Sequence, residues 1–90
     1  MPTPAMAAPR AYVVVIDKMK FGATPQNLRA GDFIIWENRD IFRHSATAKG
    51  KFDVDLPPGK SVKMRLSSSG TSQFLCKYHP GMTGVLRVAK

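Results

Sequence analysis

The sequence contains one cysteine, two histidines and no long apolar segment. A single cysteine excludes an intramolecular disulfide, so this chain of 90 residues must obtain its stability from packing, or from packing together with a metal ion. The longest apolar run, residues 11–16, is six residues long. Because a helix needs about 20 apolar residues to cross a bilayer, we expect no stable membrane insertion.

Acidic residues are also scarce, since 6 Asp and Glu stand against 14 Lys and Arg, which gives a net charge of +8. Such a charge attracts a protein to acidic surfaces or polyanions. The basic residues are scattered singly or in pairs, which favours a solvated surface or one that steers an acidic partner. A nucleic-acid-binding barrel would present aromatic residues interleaved with basic ones on one sheet face. That pattern is weak here, so we expect no nucleic acid partner.

The first ten residues contain three prolines and mostly small side chains. This composition predicts a flexible tail over residues 1–10 and a single domain over residues 11–90. The Ala5-Met6-Ala7 pattern resembles the end of a signal peptide, although no apolar segment precedes it. We therefore expect an exported, periplasmic protein whose signal peptide has been removed, and we expect it to be a monomer.

Short apolar and β-branched segments, separated by turns rich in Gly, Pro and Ser, run along the whole domain. Residues 61–66 alternate apolar and polar side chains, which predicts a half-buried strand. No segment shows helical periodicity with capping residues. About seven short strands are predicted, at residues 12–16, 27–30, 33–37, 43–48, 61–66, 73–76 and 84–89. The pattern is typical of an all-β protein, an antiparallel β-sandwich or a small barrel.

A thiol, an imidazole and a thioether follow one another at intervals of three residues in Cys76, His79 and Met82. They lie between two predicted strands, where a loop can turn all three side chains toward one centre. His44, on another predicted strand, can supply a fourth ligand. Each residue alone has an ordinary structural role, but the spacing, the lone cysteine and the use of both histidines together favour a metal site. Two His, one Cys and a weak Met suit copper, whereas zinc more often has a second Cys or a third His.

Several motifs together carry a family resemblance. They are Gly31-Asp32, Trp36-Glu37-Asn38, His44, and Cys76-x-x-His79-x-x-Met82 followed by Gly84 and a last strand. Over about residues 11–90 the chain resembles the cupredoxins, or type 1 blue copper proteins, and its short ligand loop is similar to that of the amicyanins. The resemblance implies a Greek-key β-sandwich with one copper ion that cycles between Cu(I) and Cu(II). It implies that His44, Cys76 and His79 are the equatorial ligands and that Met82 is the axial ligand.

The resemblance also implies a function, the carriage of single electrons between redox partners. The electron would pass through the imidazole edge of His79, near the surface in an apolar patch. Candidates for this docking patch are Phe42, Lys77, Pro80, Gly81 and Met82. We expect cations such as Arg43, Lys49 and Lys77 to orient an acidic redox partner transiently.

Four residues are candidates for tuning or holding the site. Many cupredoxins have Asn after the first His ligand, whereas this chain has Ser45, whose hydroxyl could replace the missing side-chain bond. Amicyanin-like loops commonly have Pro where this chain has Tyr78, so an additional N–H becomes available to hydrogen bond the Cys76 sulfur and to favour Cu(I). Pro80 should restrict the loop, and Asn38 is a turn residue that the family often shares.

Other classes of function are compatible with parts of the pattern. A copper carrier or buffer would use the same ligands but would hand on the ion. An enzyme such as a nitrite reductase would need a second metal site with more histidines, so we expect no enzyme activity. We assign Trp36 to the core, and we assign Asp53 and Asp55 to the solvent face of an edge strand.

Overall fold

A computed structural model describes residues 8–90, which form a sandwich of two β-sheets. The predicted tail falls mostly on residues 1–7, which lie outside the described residues, as does the Ala5-Met6-Ala7 pattern. No helix among the described residues is long and apolar enough to cross a membrane. The strands are β1 (Ala11–Asp17), β2 (Lys20–Phe21), β3 (Leu28–Arg29), β4 (Phe33–Asn38), β5 (His44–Ala48), β6 (Phe52–Leu56), β7 (Ser61–Arg65), β8 (Gly70–Leu75) and β9 (Thr83–Ala89).

The strands are arranged in the orders β2-β1-β4-β7 and β3-β9-β8-β5-β6. Most neighbouring strands are antiparallel, but β1 pairs with β4 and β3 pairs with β9 in parallel. The predicted β-sandwich is confirmed. The parallel pairs were not predicted, because alternation along a strand says which face a side chain occupies and not which way the neighbouring strand runs.

The core lies between the sheets, and aromatic rings fill its centre. Trp36 and Phe74 are fully buried, with ring centroids 5.2 Å apart in an edge-to-face arrangement. Phe21 packs edge-on against Phe74 at 4.8 Å, and burial of such side chains contributes about 1.5 to 3 kcal/mol each. The same buried cluster continues to Cys76 and Met82. The predicted ligand loop is therefore attached to the core and is not a free surface loop.

Candidate metal centre

The β8–β9 loop, residues 76–82, consists of two consecutive turns. The N–H of His79 donates to the carbonyl of Cys76 (3.3 Å), and the N–H of Met82 donates to the carbonyl of His79 (3.0 Å). The N–H of Cys76 donates in turn to the carbonyl of Met82 (3.0 Å) and closes the loop. One turn runs from Cys76 to His79 and the next from His79 to Met82, so each of these three residues lies at the start or the end of a turn. Cys76 and Met82 are buried, and His79 is half-buried.

Three donor atoms converge beside this loop. The Nδ1 atoms of His44 and His79 are 3.1 Å apart, and the Cys76 Sγ lies 3.7 Å from the first and 3.5 Å from the second. A metal ion bonded at about 2.0 Å to nitrogen and about 2.3 Å to sulfur, in one plane, holds such atoms about 3.5 to 3.8 Å apart. The two sulfur–nitrogen distances match this geometry, and the two imidazole nitrogens need to separate by only about 0.4 Å to reach it. The three residues therefore fit a single ion, and a thiolate with two imidazoles is a donor set that suits copper.

His44 is fully buried, and a carboxylate holds its ring. The His44 Nε2 lies 2.8 Å from Asp40 Oδ2. A carboxylate accepts hydrogen bonds, so Nε2 carries the proton and Nδ1 keeps the lone pair that a metal requires. Carboxylates in this position orient metal-binding histidines and make them better ligands. Asp40 was not predicted from the sequence, although its place four residues before His44, in the loop leading to it, was a usable signal.

Asp40 is fixed by neighbours from two other parts of the fold. The N–H of Met19, in the β1–β2 turn, donates to Asp40 Oδ2 (2.9 Å), and the N–H of Asp40 donates to Asn38 Oδ1 (2.9 Å). The Met19 N–H first, and the His44 ring second, hold the pKa of Asp40 below its ordinary value, so the carboxyl is ionised at neutral pH. The buried Asn38 amide also donates to the carbonyl of Phe42 (2.9 Å). Asn38 therefore orders the whole loop that leads into β5.

Ser45 joins β5 to the ligand loop at two points. Its N–H donates to the Cys76 Sγ (3.4 Å), and its hydroxyl accepts from the N–H of Lys77 (2.9 Å). The Ser45 hydroxyl thus makes the hydrogen bond between the two ligand segments that the sequence suggested. The second N–H to sulfur bond, predicted at Tyr78, is not formed among residues 8–90. Tyr78 is half exposed and leans outward, where its hydroxyl donates to Asp55 Oδ1 (3.2 Å).

An apolar surface surrounds the ring of His79. Phe42 is 49% exposed, and its ring meets the His79 ring edge-on at a centroid distance of 6.3 Å. Pro80 and Gly81 are exposed on the ligand loop. Ile41, which was not predicted, is 81% exposed next to Phe42. Four of the five predicted docking residues, Phe42, Lys77, Pro80 and Gly81, are thus exposed near the half-buried histidine, whereas Met82 is buried.

Two of the three expected cations lie next to predicted ligands in the chain and are paired with acidic side chains. Arg43 pairs with Asp55 (3.3 Å) and Lys77 pairs with Asp53 (3.0 Å), so both positive charges have acidic neighbours. Asp53 and Asp55 are exposed on β6, which is an edge strand as predicted, but they also contact the ligand loop. Lys49 follows Ala48, the last residue of β5, whereas the predicted ligand His44 is the first, so about 15 Å of extended chain separates them. Lys49 therefore lies at the end of β5 remote from His44.

Comparison with known proteins gives a consistent set of relatives. No protein-family model matches the chain. The chain is 28% identical over 78 residues to amicyanin-alpha of Methylorubrum extorquens and 30% identical over 87 residues to amicyanin of Paracoccus denitrificans. These matches cover 79% and 89% of this chain and 66% of each relative. The chain therefore spans about two thirds of the length of the curated relatives that it matches.

Known structures agree with these sequence matches. The crystal structure of amicyanin from Paracoccus versutus superposes with a TM-score of 0.75 at 26% identity, over 88% of this chain and 81% of that chain. A reduced Cu(I) form of an amicyanin variant gives 0.74 at 27% identity, over 88% and 82%. By its fold and by its converging donor set, the chain belongs to the cupredoxin family. Within that family, the relatives found here are amicyanins.

Proposed function

We propose that this protein is a type 1 copper protein that carries single electrons between redox partners. One copper ion per chain is held by His44, Cys76, His79 and Met82. The observation that supports this function is the convergence of two imidazole nitrogens and one thiol sulfur within 4.8 Å of one another. The burial of Met82 on the same loop and the reduced Cu(I) form among the amicyanin structures support the same choice of metal.

Copper supplies the redox chemistry, because Cu(I) and Cu(II) differ by one electron. The protein supplies a geometry that serves both states. The Asp40 carboxylate fixes the His44 ring, two turns close the ligand loop, and burial restricts Cys76. Donor atoms that are already placed need little rearrangement when the charge of the site changes, so the barrier to electron transfer is low.

The electron enters and leaves at His79, because His44 and Cys76 are fully buried whereas His79 is half-buried. The apolar surface around it suits a transient contact that releases quickly. The net charge of +8 favours an acidic redox partner. Lys18, Lys20 and Lys60 are exposed near this end of the sandwich and make no ion pair among the described residues, so they are better placed than Lys49 to steer that partner.

The proposed role extends to the activity, the location and the oligomeric state of the protein. We propose an electron carrier and not an enzyme, and the convergence of two imidazoles and one thiol supports the first role. We place the protein in the periplasm, as a monomer that binds no nucleic acid. The similarity to the amicyanin relatives supports this assignment.

Adding Cu(II) to the metal-free protein tests the function. We expect an intense thiolate-to-copper absorption in the orange-red region, which bleaches on reduction and returns on oxidation through many cycles. We also expect fast electron self-exchange and slow loss of copper to a chelator. A protein that binds copper but exchanges it readily with a chelator and self-exchanges electrons slowly would be a copper carrier, and a protein that stays colourless would have no such site.

Replacing Asp40 by alanine should weaken copper binding by about 10- to 100-fold, because the His44 ring loses the partner that sets its orientation and its tautomer. Competition with a chelator measures the affinity. Glu37→Gln is the matched control, since it also removes one carboxylate near this end of the sheet but Glu37 pairs with Arg39 and not with a ligand. Equal affinities for Asp40→Ala and Glu37→Gln would show that the Asp40 contact does not support the metal.

A further inference from the structure

A chain of hydroxyl groups leads from the ligand loop to the edge strand β6. The N–H of Lys77 donates to Ser45 Oγ (2.9 Å), Ser45 Oγ lies 2.9 Å from Thr47 Oγ1, and Thr47 Oγ1 donates to Asp53 Oδ1 (2.9 Å). We call Ser45, Thr47 and Asp53 the relay. The ammonium group of Lys77 also contacts the other carboxylate oxygen of Asp53 (3.0 Å). The relay therefore begins and ends on one residue of the ligand loop.

The direction of each hydrogen bond in the relay is fixed. The single hydroxyl proton of Thr47 is used on Asp53, so the proton between Ser45 and Thr47 must come from Ser45. The Ser45 oxygen then presents its lone pairs to the Lys77 N–H. Ser45 is fully buried, so water does not substitute for Thr47 as the acceptor of its proton. Hydrogen bonds aligned in one direction also polarise and strengthen one another.

The relay acts where main-chain pairing stops. The register pair between β5 and β8 is Thr47 with Leu75, so the residues that follow Leu75 are attached to β5 through side-chain contacts. Ser45 makes both of these contacts, since its hydroxyl accepts from Lys77 and its N–H donates to the Cys76 sulfur. Lys77 is covalently joined to Cys76, so loosening the bond between the Lys77 N–H and the Ser45 hydroxyl also frees the Cys76 sulfur to move away from the Ser45 N–H.

We propose that Thr47 and Asp53, which make no hydrogen bond to the ligands, are positioning residues that hold the ligand loop against β5 and thereby maintain the Ser45 N–H to Cys76 Sγ hydrogen bond. The first half of this inference concerns the metal-free chain. The second half, the tuning of the thiolate, rests on the proposed copper function. Hydrogen bonds to a ligating sulfur withdraw electron density from it and favour the reduced metal.

Amide hydrogen exchange in the metal-free protein tests the first half. Thr47→Val keeps the branched shape but removes the hydroxyl, and it should speed exchange of the Lys77 N–H by about tenfold, the worth of one hydrogen bond. Thr47→Ser restores the hydroxyl and should exchange as the wild type does. The N–H of Leu66, which donates to the carbonyl of Asp32 at 2.8 Å, is a distant reference that should not change. Equal Lys77 exchange in Thr47→Val and the wild type would overturn the proposal.

Two exposed carboxylates of β6 offer a second comparison. Asp53→Ala removes the end of the relay and should speed Lys77 exchange, whereas Asp55→Ala removes the contacts to Tyr78 and Arg43 and leaves the relay intact. Because both side chains are exposed, neither variant is expected to prevent folding. Equal acceleration by both variants would mean that general loosening of β6, and not the relay, controls the loop.

The copper-loaded protein tests the second half. Thr47→Val changes no charge, so a lower reduction potential and a shifted thiolate-to-copper absorption, both restored in Thr47→Ser, would report a weakened hydrogen bond to the sulfur. An unchanged reduction potential together with faster Lys77 exchange would overturn the proposed effect on the thiolate, while the proposed role of Thr47 in holding the loop against β5 would stand. If even the wild type failed to bind copper, the proposed function would fail, while the exchange measurements would still decide whether the relay holds the loop.

Discussion

Replacing Cys76 by serine is expected to abolish the visible absorption of the Cu(II)-loaded protein. Cys76 Sγ is the only sulfur among the three converging donor atoms, and a serine hydroxyl stays protonated and hard where a thiolate is charged and soft. We expect copper affinity to fall by at least two orders of magnitude, as about 3 kcal/mol of metal–thiolate bonding is lost. Absorption spectroscopy and chelator competition measure the two effects.

Cys76 is also fully buried in the core, so its replacement can alter the fold independently of the metal. Serine places a hydroxyl in this apolar site, whereas Cys76→Ala removes the sulfur without adding a polar group. Both variants should lose the colour, and the alanine variant should retain more of the stability of the metal-free protein. Retention of the orange-red absorption in either variant would contradict the proposed thiolate ligand.

Replacing Gly84 by alanine should destabilise the fold strongly. Gly84 faces Phe74 across the β8–β9 ladder, and a Cβ on it would clash with the Phe74 ring. The Phe74 ring cannot retreat, because Phe21 and Trp36 pack edge-on against it. Overpacking of this kind costs about 1 to 3 kcal/mol or more. For a domain of this size, we expect the melting temperature to fall by about 5 to 20 °C in thermal denaturation.

Gly81 offers the matched control for this substitution. It lies only three residues away on the ligand loop, but a Cβ there would have nothing within 4 Å. Gly81→Ala should therefore leave the melting temperature nearly unchanged. If Gly84→Ala and Gly81→Ala had the same melting temperature, the Phe74 ring would be able to move aside, and the packing of Phe21 and Trp36 would not hold it in place.

The ligand set was accessible from sequence because most of it is local. Three of the proposed ligands fall within residues 76–82, and the two turns that bring them together are closed by hydrogen bonds within that segment. The strands were equally accessible, since alternation of side chains survives in β4 and β7. The role of the Ser45 hydroxyl could be predicted because Ser45 directly follows a predicted ligand.

The surroundings of the ligands depend on contacts between distant segments. Strand β2 has two residues, and the turn before it places Lys18 and Met19 at φ values of 51° and 61°, where Gly or Asn is usual. No composition signal therefore marks the turn whose N–H holds Asp40. The parallel pairing of β1 with β4 brings that turn beside the loop after Asn38, and parallel neighbours cannot be inferred from side-chain alternation.

A metal ion held by His44 and Cys76 has a mechanical consequence for the chain. The two residues are 32 positions apart, and the chain has one cysteine, so no disulfide spans this interval. A bound ion ties β5 to the loop between the last two strands, as a covalent staple would, and it favours the native chain because the unfolded chain does not bring these donors together. Unlike a disulfide, this cross-link opens when copper is withdrawn. Bound copper would therefore raise the free energy of unfolding, and its withdrawal would lower it.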